Sequence, residues 1–168
     1  RHTRLLTVTG VQTCALPIFI AADGVVMVID AANGVEPQTR KLFEVCRRHR
    51  LPILTFINKF DRPARDPLEL IDDVERTLGI AAAPANWPVG SAERFRGVYD
   101  LRTQTLLRYE RESQGQFRAP VQLASIDDPE AKEEIGAEVY EHFRESLAVI
   151  REAGTTFELE AYLAGLQT

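Results

Sequence analysis

Two unbroken apolar runs constrain the 168-residue chain most: Gly24-Val25-Val26-Met27-Val28-Ile29 and Ile53-Leu54-Thr55-Phe56-Ile57. A strand with one wet face alternates apolar and polar residues. A continuous run rich in β-branched side chains predicts a strand covered on both faces, the habit of parallel sheets. Asp23–Asp30 and Pro52–Ile57 are therefore expected as strands. Between them, Glu36–Arg50 reads as a helix. Pro37 falls in its first turn, where a missing N–H is harmless, and Leu42, Phe43, Val45 and Cys46 mark one side. Asn33-Gly34 signals a turn before it. Strand, helix and strand in this order make a βαβ unit with a right-handed crossover.

At the carboxyl end of the second run stands Asn58-Lys59-Phe60-Asp61. Ligands of open α/β sheets sit beyond the carboxyl ends of the strands. An Asp carboxylate accepts two parallel hydrogen bonds, and guanine offers two neighbouring N–H donors on its Watson–Crick edge. Adenine offers no such pair and would leave the carboxylate unpaired. Asp61 is thus a candidate for reading the base, Lys59 for laying its alkyl stem over the ring, and Asn58 for bonding base or backbone groups. Four letters are a short motif, and a solvated strand-end turn is the alternative.

Asp66, Pro67 and Glu69 form a helix-start signature, Leu68, Ile71, Val74 and Leu78 keep helical spacing, and Gly79 suits the stop. From Trp87-Pro88-Val89-Gly90 the texture changes. Gly97–Arg102, Gln104–Glu110 and Ala119–Ala124 read as short antiparallel strands, with Ser113–Gln116 connecting. Asp127-Asp128-Pro129-Glu130 opens a helix expected to run to about Glu152, with Ile135, Val139, Phe143, Leu147 and Ile150 on one face and Gly154 as its stop. Thr155 or Thr156 is expected to cap a last short helix ending at Gly165.

Arg1–Ile18 has no sustained period of either kind. Its apolar part is too short and interrupted for a signal peptide. Val8–Ile18 looks like the conceptual translation of a sequencing-library adapter, so residues 1–18 are expected to be a non-native, disordered tail and native text to begin near Phe19. Net charge of -5 and pI near 5.3 argue against a surface that coats nucleic acid, and no direct DNA binding is expected. Cys14 and Cys46 lack metal-ligand spacing and suggest a reducing, cytoplasmic location. The apolar runs are too short to span a bilayer, and no membrane partner is expected.

From about Ile20 onward the text resembles the translational GTPases, most closely the family of bacterial peptide chain release factor 3. Three stretches carry the resemblance. They are Val26–Glu36 with Thr39-Arg40, Leu51–Arg62 continuing into Arg65–Leu70, and Trp87–Gly90 with Phe95–Leu101. Elongation factor G is similar but usually differs around Thr55-Phe56 and Phe60 and lacks the Trp before Pro-x-Gly; tetracycline-resistance ribosomal protection proteins are a further relative. The resemblance implies a partial P-loop GTPase-type α/β core over residues 19–87, a parallel sheet with helices on both faces, and an inserted α+β subdomain over 88–168. It implies that the full-length protein binds GTP or GDP with magnesium, acts on the ribosome and promotes recycling of class-I release factors through GTP hydrolysis. It assigns Asn58, Lys59 and Asp61 to guanine recognition.

The sequence contains no G-x-x-x-x-G-K-[S/T] loop and none of the family's Asp-x-x-Gly segment. Phosphoryl transfer depends on positioning phosphate, metal and water, so this chain alone is expected to carry no catalytic or metal-coordinating residues and to hydrolyse no GTP above background. A non-enzymatic α/β interaction module, with Asn58–Asp61 as a plain turn, is the alternative of another class.

Among the remaining residues, Asp30 reads better as a cap on its connection than as a ligand group. The basic run Arg47–Arg50 complements a helix C-terminus, Trp87 reads as a packing anchor, and His49 and His142 lack partners at metal-ligand spacing.

Overall fold

The computed structural model describes residues 5–8, 22–108, 121–123, 132–133, 135–153 and 156–168. Cys14, Ser113–Gln116, Asp127–Glu130, Gly154 and Thr155 lie outside them. Two compact units are present. The first holds the described residues up to Lys59 with Ala64–Ala83 and Thr156–Thr168; the second holds Phe60–Pro63 and Pro84–Thr155.

In the first unit, strands β1 (Leu5–Val8), β2 (Gly24–Asp30) and β3 (Ile53–Asn58) form a parallel sheet in the order β1-β2-β3. The β2–β3 register runs from Val25 opposite Ile53 to Asp30 opposite Asn58. Helix α1 (Pro37–Arg48) supplies the crossover, with Pro37 at its start and Arg47 and Arg48 in its last turn, where cations suit the helix dipole. Helix α2 (Pro67–Leu78) begins at Asp66, whose carboxylate accepts from the Leu68 N–H at 2.8 Å. It ends at Gly79, in the left-handed region at φ 68°, whose N–H donates to the Glu75 carbonyl.

Side chains alternate across a strand, so Val25, Met27, Ile29 and Ile53 share one face, and there they pack with Phe43, Cys46, Val74 and Leu78. Both helices thus serve the same face. Among the described residues the opposite face is open, with Leu54 47% and Phe56 52% exposed. The apolar runs form neighbouring parallel strands, as their composition predicts.

Residues 1–18 were expected to lack structure, yet Leu5–Val8 pairs in parallel with Gly24–Met27. A sheet edge presents a row of unpaired N–H and C=O groups that accepts an extended segment with little regard to its sequence. The sequence reading also assigned 88–168 to one subdomain, whereas Thr156–Thr168 groups with the parallel sheet. There Thr168 Oγ1 donates to the Ile53 carbonyl at 2.8 Å, and Ala81 and Ala83 N–H groups donate to the Leu166 and Thr168 carbonyls. The last helix, α4 (Leu159–Leu163), starts after Glu158 rather than at Thr156. The Thr156 carbonyl instead accepts from the Gln167 side-chain amide, whose oxygen accepts from the Glu158 N–H.

The second unit is an antiparallel meander of β4 (Asn86–Val89), β5 (Gly97–Asp100), β6 (Thr105–Arg108) and β7 (Val121–Leu123). Gly97 is required where it stands, because a Cβ there would strike the Leu107 carbonyl oxygen. Trp87 is 3% exposed, as a packing anchor should be. Helix α3 (Ala137–Ala153) sets Phe143 edge-on against Tyr99, with ring centroids 5.3 Å apart. Ile135, Phe143 and Leu147 are buried as their spacing predicts, but the expected single helix is interrupted at Gly136, which takes φ 87°.

Candidate functional site

The parallel register brings Asp30 and Asn58 side by side at the carboxyl ends of β2 and β3. The Ala31 N–H donates to the Asn58 carbonyl at 2.9 Å, tying the two strand exits together. Asn58 is exposed, and its side-chain oxygen accepts from the Lys59 N–H at 2.9 Å. Lys59 takes φ 73°, a left-handed conformation that costs a side-chain-bearing residue roughly 1–2 kcal/mol. Its Nζ lies 2.5 Å from Asp30 Oδ2. Asp61 falls in the turn that follows, within Phe60–Pro63, and is exposed.

Asp30 was read from sequence as a cap on its connection, and it performs that role. Its Oδ1 accepts from the Ala32 N–H at 2.9 Å, and its carbonyl accepts from the Gly34 N–H at 2.9 Å. The pairing with Lys59 was missed. The signal was available in the register, since Asp30 ends one parallel strand as Asn58 ends its neighbour. The Lys59 ammonium, and next the Ala32 N–H, hold the Asp30 carboxyl below its ordinary pKa.

The connection after β2 is fixed on its far side by α2. Asp73 Oδ2 accepts from the Val35 N–H at 3.1 Å and from Arg65 Nη1 at 3.2 Å, while Arg76 and Thr77 donate to Oδ1. The Val35 N–H is the main cause of a lowered Asp73 pKa, with Arg76 and Arg65 adding to it. Gly34 fits this junction because a Cβ would run into Asp73 and Arg65, and because its φ is 71°. The Arg65 N–H donates to the Ala31 carbonyl at 3.0 Å, so the loop is held at both ends.

A groove of about 510 Å³ runs from these strand ends along β2 and α1. Asp30, Asn33, Asn58 and Lys59 give it a polar end, while Leu42, Phe43 and Cys46 line the apolar remainder. Glu36, Gln38 and Thr39 add polar groups along it, and its volume is in the range of small-molecule sites. The Cys46 thiol is 2% exposed, and burial pushes its pKa up to about 11, so it contributes packing rather than nucleophilic chemistry.

Comparison with known proteins places these residues in a family frame. The model for the elongation factor Tu GTP binding domain matches residues 18–159. Among curated relatives, peptide chain release factor 3 of Microcystis aeruginosa is 47% identical over 148 residues, covering 88% of this chain and 27% of that protein. The Synechocystis protein of the same name is 49% identical over 149 residues, with the same coverage of 88% and 27%. That of Gloeothece citriformis is 45% identical over 148 residues, again 88% and 27%. The chain therefore spans about a quarter of the length of the curated relatives it matches.

Proposed function

Because the chain belongs to the elongation factor Tu GTP-binding domain family, we propose that it forms the guanine-reading part of a ribosome-associated GTPase of the release factor 3 kind. The observation that supports this best is the position of Asn58 and Lys59 at the carboxyl end of β3, beside the end of its parallel neighbour. That is where open α/β sheets bind their ligands.

In this reading Asp61 accepts the two N–H donors of the guanine edge. Lys59 covers the ring face with its alkyl stem. Asn58, whose oxygen already holds the Lys59 N–H, keeps its amide donors for base or backbone acceptors. The exposure of all three side chains suits groups that await a polar ligand. Hydrolysis requires parts that this sequence does not contain. Magnesium, when bound, would offset phosphate charge in the family's reaction. Among the described residues no three His, Cys, Asp or Glu side chains converge as a metal site, and no step is derived through the ion. The longer protein is proposed to hydrolyse GTP on the ribosome in the cytoplasm and to promote the departure of class-I release factors. The 168-residue chain alone is proposed to be inactive.

The test compares the full-length protein carrying this segment with the isolated chain. Ribosome-stimulated GTP hydrolysis by the former, together with faster exchange of class-I release factors on terminated ribosomes, is the expected result. A full-length protein that neither binds guanine nucleotide nor touches ribosomes would leave the interaction-module reading in its place.

A further inference from the structure

We propose that Asp30 is a positioning residue for guanine binding, which fixes the Lys59 side chain across the strand ends while closing the turn after its own strand. The inference rests on the guanine-binding reading above and adds a member to that site.

One carboxylate joins two loops. Oδ1 takes the Ala32 N–H at 2.9 Å, which shapes the exit of β2, and Oδ2 takes Lys59 Nζ at 2.5 Å, which reaches the exit of β3. Lys59 needs such an anchor. Its backbone sits in the left-handed region at φ 73°, and a lysine stem has four rotatable bonds, whose freedom opposes any single placement. The Asn58 side chain secures the Lys59 backbone, and Asp30 secures the other end of the residue. A stem held at both ends can lie flat against a ring without ordering on each binding event, so part of the cost of association is removed beforehand. The Asp30 side chain is 21% exposed and the Lys59 side chain 44% exposed, so the pair is reachable by a ligand and is not a buried strut.

Asp30→Asn separates this role from a purely structural one. Asn is as good a turn acceptor as Asp. If Asp30 only closes its turn, the variant behaves as the parent. If it positions Lys59, the amide must present Nδ2 either to the ammonium or to the Ala32 N–H, and the bridge between the loops is broken in both orientations.

The experiment measures fluorescent GDP affinity of the full-length protein as the parent, Asp30→Asn, Lys59→Met and the double variant, with urea unfolding of each. The expected result is a loss of about three- to fivefold for Asp30→Asn, the size of one exposed ion pair, with an unchanged unfolding midpoint. The double variant should bind no worse than Lys59→Met, because the pair acts as a unit. Affinity of Asp30→Asn equal to the parent's overturns the proposal, as does a loss that is undiminished in the Lys59→Met background. Should Asp30→Asn prove unstable, Asp30→Ser retains a turn acceptor and is held to the same outcomes. Asp61→Asn is measured alongside. If it changes base preference while Asp30→Asn is silent, only the positioning role falls. If it leaves base preference untouched, the guanine reading fails and takes this inference with it.

Discussion

Lys59 Nζ sits 2.5 Å from Asp30 Oδ2, although the two residues belong to different strand exits and are separated by the whole of α1. The contact follows from a parallel register that sets Asp30 opposite Asn58, one residue before the lysine. It makes the exit of β2 part of the same polar cluster as the exit of β3.

Removing the Asp73 carboxylate should unfasten that exit. Asp73→Ala leaves the Val35 N–H and Arg65 without their acceptor, and the expected cost is about 1–3 kcal/mol in urea unfolding of this chain. The same carboxyl has its folded-state pKa held below the ordinary value. Its contribution is therefore fully present above the unfolded pKa and is lost as pH falls through the lower, folded one. Stability of the parent should decline below about pH 4, and Asp73→Asn should show a shallower decline there. Equal slopes for the two proteins would contradict the assignment.

Two glycines with similar φ should respond differently to alanine. Gly79 takes φ 68° with open space around a would-be Cβ, so Gly79→Ala should cost only the strain of that conformation, about 1 kcal/mol. Gly34 takes φ 71° against Asp73 and Arg65. Gly34→Ala should cost more than Gly79→Ala, because the Asp73 hydrogen bonds must also shift. The difference in urea midpoints reads this directly, and a Gly34→Ala midpoint at or above that of Gly79→Ala would refute the crowding.

The open sheet face should govern self-association of the isolated chain. Leu54 and Phe56 are about half exposed on it, and contiguous exposed apolar surface of this kind drives association. Leu54→Thr with Phe56→Thr replaces both with a polar, β-branched residue that suits a strand. The pair is expected to lower the sedimentation-equilibrium mass toward the monomer without a lower unfolding midpoint. An unchanged mass would show that the face is not the contact.

Cys46 should be silent to thiol reagents. In a Cys14→Ser variant, the remaining thiol, 2% exposed and with its pKa raised to about 11, should react with Ellman's reagent at pH 8 only after denaturant is added. Prompt reaction in buffer would show that the core around α1 opens readily.

Much of this arrangement was legible in the residues. The apolar runs gave the parallel strands, Asp66 and Gly79 bounded α2, and Asn58-Lys59-x-Asp61 marked the carboxyl end of β3. Three things were not. A continuous apolar strand cannot reveal which of its faces this stretch of chain covers. Gly136 inside a helical pattern reads as tolerable until its φ of 87° is seen. The return of Gln167 and Thr168 to the first unit is long-range pairing, held by backbone bonds to Ala81 and Ala83 and by the hydroxyl of Thr168 on the Ile53 carbonyl rather than by any periodic signal.

The central claim is that the Asp61 carboxylate reads guanine, and base exchange at that residue tests it most directly. Asn presents one acceptor and one donor, and xanthine carries a carbonyl where guanine carries its amino group. In the full-length protein, Asp61→Asn should weaken GDP binding by roughly 10- to 100-fold, the size of one charge-assisted hydrogen bond, and gain affinity for xanthosine diphosphate relative to GDP. A variant that retains the parent's preference for GDP over xanthosine diphosphate would contradict the account.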